Sequence, residues 1–154
     1  MESVEHLFSG FFIKTSTVAV ARSLVDETGA RFAEDVRTCE DYNFFWRALS
    51  QRPRVKYLRS ADTRIRATPG SLTRRKNGRE ISRDNVTITS RIMRGPLDPA
   101  LQSSLGETRY RAAQELLARS RVSGPRFLAE TSWLFKNLGG ARTCRAALSV
   151  LVSG

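Results

Sequence analysis

The sequence predicts an α/β chain that is mainly helical, with a few short strands on the N-terminal side and a helical C-terminal half. Three observations carry this expectation. β-Branched and aromatic residues crowd FFIKTSTVAVA (11–21), a composition that fits a pleated, half-buried surface. The runs VKYL (55–58) and TRIRA (63–67) repeat that character on a smaller scale. From about residue 73 onward, apolar residues recur at helical spacing between glycine and proline stops.

The first strand ends at Arg22-Ser23 and gives way to a brief helix that Gly29 stops. Tyr42, Phe45, Trp46 and Leu49 fall at i, i+3, i+4 and i+7, one apolar face of a helix over about 39–51 that Pro53 ends. Strands at 55–58 and 63–67 then lead into a turn at Pro69-Gly70. Ser71 or Thr73 caps a helix reaching about Arg94, with Ile81, Ile88 and Ile92 inward and Gly95-Pro96 at its end. Asp98-Pro99 is a cap followed by a proline at the first helical position, and Leu101, Leu105, Ala112 and Leu116 carry the next stripe to about Arg121. Ser123-Gly124-Pro125 repeats that start signal for Phe127, Thr131, Leu134, Phe135 and Leu138, which Gly139-Gly140 interrupts. Cys144, Ala147, Leu148, Leu151 and Val152 form the last stripe, and the short link makes the final two helices an antiparallel hairpin. These stripes, and the cluster Phe44-Phe45-Trp46, read as core.

The 154 residues suffice for one domain, and 40% hydrophobic content argues against a disordered chain. No apolar run approaches the roughly 18 residues of a spanning helix, and MESVEHLFSGFF opens acidic rather than with a basic leader. The expected location is cytoplasmic, at most peripheral to the inner face of the membrane. Cys39 and Cys144 have no second Cys or His at ligand spacing, which disfavours disulfide and zinc scaffolds. His6 is the only histidine, close to a terminus, which disfavours a serine or cysteine triad. The formal net charge of +11 is concentrated in residues 52–94, where thirteen basic residues face three acidic ones. That stretch, Arg52 to Arg94, offers a weak contact to an anionic surface. Its single aromatic, Tyr57, provides no platform for stacked bases, so nucleic acid is not an expected partner.

Four segments stand out together: TSTVAVARS (15–23), ETGARFAED (27–35), EDYNFFWRAL (40–49) and TRIRATPGSLT (63–73). In order and spacing they resemble the second half of a family-2 glycosyltransferase catalytic domain of the GT-A fold, where the counterparts read roughly TSTVMVRRS, vGGFDE, EDYDLWLRLA and YRVHPGSLS. The resemblance covers residues 11–73. It implies residues 1–73 as the acceptor and catalytic-base half of a partial GT-A-like domain, with 74–154 as a helical extension.

What the resemblance implies chemically is transfer of a sugar from a nucleotide sugar to an acceptor hydroxyl. Asp41, the aspartate of the ED pair, corresponds to the general base. A carboxylate suits that role because the acceptor hydroxyl must lose its proton as it attacks the anomeric carbon. Glu40 is its catalytic neighbour, Thr15 and Ser16 lie on the substrate side, and Arg66 faces the donor's diphosphate, where a forked cation matches phosphate oxygens. The family also implies a divalent ion, Mg²⁺ or Mn²⁺. The chain has no Asp-x-Asp to hold it and too few residues before Phe11 to form a nucleotide-binding half. The expectation is therefore a truncated domain, inactive as this chain.

Two alternatives accompany this reading. Thr38-x-x-Asp41 has nearly the form of a capping box, and a helix start favours an acidic side chain for reasons unconnected with catalysis. A different functional class, a small basic binding protein for nucleic acid or an acidic membrane surface, rests on the charge of residues 52–94 alone.

Overall fold

The computed structural model describes residues 13–50, 54–56, 58, 63–64, 66, 78–97, 99–121 and 123–152. The chain divides into two compact units, Met1–Lys76 and Asn77–Gly154. The turn expected at Pro69-Gly70 and the cap expected at Ser71 or Thr73 lie outside the described residues.

Among the described residues every regular element is helical, which corrects the α/β expectation and with it the GT-A-like sheet. The expected strand at 11–21 contains instead a single 3-10 turn, Thr15–Thr17, between extended residues Lys14 and Val18. The Thr17 amide and hydroxyl both donate to the Lys14 carbonyl, at 2.8 Å and 2.7 Å. The described residues of 55–58 and 63–67 are exposed and belong to no ladder. β-Branched composition favours a strand only where a neighbouring strand and a buried face accept it. In the turn Thr15–Thr17 the Thr17 hydroxyl bonds the local backbone instead.

In the first unit, α1 (Arg22–Thr28) is closed by Gly29 in the left-handed region at φ 60°, a conformation glycine adopts without steric cost. Helix α2 (Glu40–Ser50) has Glu40 and Asp41 in its first turn and Arg47 in its last, matching the helix dipole at both ends. Of its periodic face, Tyr42, Phe45 and Trp46 are buried as the spacing predicts and Leu49 is half-buried, while Ala48, outside that face, is buried as well. The irregular segment between the helices is tied to α2 by its backbone. The Asn43 amide donates to the Arg31 carbonyl at 2.9 Å, and the Ala33 N–H donates to the Glu40 carbonyl at 3.4 Å. Phe32 stacks on Phe44 with centroids 4.7 Å apart.

The second unit packs four helices, α3 (Gly78–Ile92), α4 (Pro99–Ser120), α5 (Gly124–Leu138) and α6 (Gly140–Val152). Helix α4 touches the other three. It buries Leu101, Leu105, Ala112, Ala113, Leu116 and Leu117. Val86, Leu134, Leu138, Ala146 and Val150 from the neighbouring helices complete the core. Each fully buried leucine or valine contributes about 1.5–3 kcal/mol. Two stripes turn out differently from their periodicity: in α5 Phe135 is exposed while Leu134 and Leu138 are buried, and α6 departs further. Helix α6 buries Thr143, Ala146 and Val150 and leaves Leu148, Leu151 and Val152 more than half exposed. Ala146 packs into a core that α4 enters with Ala112 and Ala113, so the helix presents its small residues. Hydrogen bonds from Gln114 to Ser149 (2.8 Å) and from Arg121 to the Val150 carbonyl (3.3 Å) fix α6 against α4.

Candidate functional site

The ED pair opens α2, so backbone geometry determines where its carboxylates stand. Cys39, the residue before the helix, has φ 61°, an uncommon left-handed conformation for a side chain other than glycine or asparagine. With the helix beginning at Glu40, Asp41 lies one position earlier in the first turn than a capping box would place it. Its Oδ1 accepts the Tyr42 N–H at 2.9 Å, satisfying one of the amides that a helix start leaves without an intrahelical partner. The Thr38 hydroxyl meets the Cys39 sulfur at 3.8 Å. Asp41 thus caps its helix from inside the first turn.

The other carboxylate oxygen turns toward a distant segment. Asp41 Oδ2 accepts the Thr15 hydroxyl at 3.1 Å. Next to Thr15, the Ser16 carbonyl accepts the Thr63 hydroxyl at 3.4 Å. Three of the four segments singled out in the sequence therefore meet: the TST turn, the ED helix start and the beginning of TRIRA. Thr15 and Ser16 are exposed. At the helix start, Glu40 Oε2 is a buried carboxylate oxygen without a hydrogen-bond partner among the described residues. Arg66 is exposed three positions beyond Thr63 and makes no ion pair among the described residues. No contact joins it to Glu40 or Asp41. Thr63 was not singled out from the sequence; its position at the head of a segment already in view was the available signal.

Tyr42, directly behind Asp41, is 3% exposed. Burial, and secondarily the neighbouring Cys39, push its phenol well above the ordinary tyrosine value, so it acts as a neutral wall of the site. Among the described residues no three of His, Cys, Asp and Glu gather in one place, and Glu40 and Asp41 find no third ligand. No step is routed through a metal here.

An ionised carboxylate has about four lone-pair positions. Thr15 and Tyr42 occupy two of those of Asp41. Among the described residues nothing else occupies the remainder, which can accept a proton from a third group approaching the same surface. Comparison with known proteins finds no matching family model, no matching curated protein and no matching solved structure. No helix among the described residues is long and apolar enough to cross a membrane.

Proposed function

We propose that the first unit carries the acceptor-activating part of a sugar-transfer site, with Asp41 as the general base. The observation that supports this reading is the hydrogen bond from Thr15 to Asp41. It joins the two segments whose resemblance to family-2 glycosyltransferases assigns them to one site, in a fold without the expected sheet.

In this reading the acceptor hydroxyl hydrogen-bonds to a lone pair of Asp41 that Thr15 and Tyr42 leave open. As the acceptor oxygen attacks the anomeric carbon, its proton passes to the carboxylate and the nucleoside diphosphate departs with the electron pair of the broken bond. Thr15 and the Tyr42 amide hold the carboxylate in one orientation, which removes rotational freedom from the reacting pair. Glu40 precedes Asp41 in the first turn of α2. Ser16 presents its exposed side chain beside Thr15, within reach of an acceptor's hydroxyls. Arg66 supplies a cation for the departing diphosphate by resemblance alone.

The test is transfer by these residues joined to a nucleotide-sugar-binding half, comparing Asp41 with Asp41→Asn. Asparagine keeps the size and one acceptor of aspartate, and still suits a helix start. Loss of transfer with retained folding supports the base assignment. Retained transfer leaves Asp41 as a cap only.

A further inference from the structure

A second chemistry-bearing place lies wholly within the helical unit. A groove of about 700 Å³ runs between the end of α3, the first half of α4 and the start of α6. Four arginines line it: Arg94, Arg109, Arg142 and Arg145.

Arg109 is the unusual member. It follows Leu101 and Leu105 at four-residue spacing on the buried face of α4 and is 7% exposed. Its partner there is the Ser90 hydroxyl, 3.4 Å from Nη1. Burial, with the nearby charge of Arg142 second, lowers its pKa from the ordinary arginine value. Among the described residues no carboxylate is ion-paired with any of the four guanidiniums. Glu107, an acidic side chain among the described lining residues, reaches Arg111 instead, at 3.6 Å. Elsewhere in the same unit the fold does match buried charge with opposite charge, since Glu130 is paired with Arg79 and Arg83.

A cation withdrawn from water is tolerated when an anion compensates it. A groove that gathers four guanidiniums without a carboxylate ion-paired to them among the described residues is suited to an anion from outside the chain. Planar guanidiniums match carboxylate and phosphate oxygens two at a time, and a phosphate group, with three acceptor oxygens and up to two charges, can engage several of them at once. The volume falls within the range of small-ligand sites. We infer that this groove binds a small phosphate-bearing group, with Arg109 on its buried side and Arg94, Arg142 and Arg145 on its open side. A soluble phosphorylated compound and a phospholipid headgroup share this chemistry. The inference is independent of the sugar-transfer reading, which concerns the other unit.

Calorimetric titration of the full chain with inorganic pyrophosphate, at about 150 mM salt so that diffuse attraction is screened, tests it. The expected result is saturable one-to-one binding with Kd below about 1 mM. Arg142→Gln/Arg145→Gln weakens it by at least about tenfold; both residues are exposed, so folding is retained. Arg126→Gln, exposed on α5 outside the groove, leaves it unchanged. Vesicles of phosphatidylcholine with and without phosphatidic acid separate the sources. Pyrophosphate-displaceable binding to the acidic vesicles supports a headgroup, and pyrophosphate binding without vesicle binding supports a soluble ligand. No saturable pyrophosphate binding, or binding that the double variant leaves unchanged, overturns the proposal.

Discussion

The hydroxyl of Thr15 donates to Oδ2 of Asp41 at 3.1 Å, although 26 positions separate them in the chain. The intervening residues close this distance through α1, the left-handed Gly29 and the backbone ties that hold the 30–39 segment to α2. Asp41 thereby serves two neighbours at once, one local and one distant. If the contact holds Asp41 in place, Thr15→Val and Asp41→Ala are not additive. A double-mutant cycle on urea stability gives a coupling of about 0.5–1.5 kcal/mol. Additive single effects would mean that the two side chains are merely adjacent.

Cys39 adopts φ 61° immediately before α2, and a β-branched side chain is poorly accommodated there. Cys39→Val lowers stability by about 1–3 kcal/mol. Cys39→Asn stays within about 1 kcal/mol of the parent, because asparagine tolerates the left-handed region. Equal unfolding midpoints for the two variants would contradict this backbone geometry.

The raised pKa of buried Tyr42 has a direct consequence at alkaline pH. Below the unfolded-state tyrosine value of about 10 the phenol is neutral in both states and contributes no pH dependence. Above it the unfolded chain loses the proton while the native chain retains it. Stability therefore falls with rising pH by up to about 1.4 kcal/mol per unit. Tyr42→Phe removes that part of the slope. Identical slopes for parent and variant in urea melts between about pH 9 and 11 would rule out a buried, neutral Tyr42.

Glu130 is 1% exposed. Its Oε1 accepts Arg79 Nε at 2.9 Å and lies 3.8 Å from Arg83 Nη1. Arg83 also stands over the Trp133 ring at 4.7 Å. Glu130→Ala destabilises the helical unit by about 2–3 kcal/mol, less than a fully buried pair would lose, because both arginines stay partly hydrated. Glu130 Oε2 is buried without a partner among the described residues, so Glu130→Met fills the space and costs less than alanine. Denaturant titrations giving methionine the larger loss would contradict a site in which shape matters more than charge.

Local periodicity made much of the fold legible. Tyr42, Phe45 and Trp46 mark one face of α2, Gly29 stops α1, and Leu101, Leu105, Ala112 and Leu116 mark α4, because those signals act within a turn or two of helix. The expected strands are not seen among the described residues, because strand formation depends on a neighbouring strand that Thr15–Thr17 and the described, exposed residues near 55 and 63 do not have there. In α6 two rows compete, and packing beside Ala112 and Ala113 selects Thr143, Ala146 and Val150 over the larger apolar side chains. Arg109 and Glu130 occupy apolar rows of their helices, so a charged residue in core register was the sequence signal for both. For the site, the residue types at Thr15 and Asp41 were readable; their contact depends on folding between positions far apart.

The central claim, that Asp41 takes the acceptor proton, is tested most directly by initial transfer rates from a nucleotide sugar in a protein joining this unit to a donor-binding half. The account predicts that Asp41→Asn lowers kcat by at least about 100-fold, with the unfolding midpoint of the parent. Near-normal turnover by a folded Asp41→Asn variant would contradict it and leave Asp41 as the cap of α2.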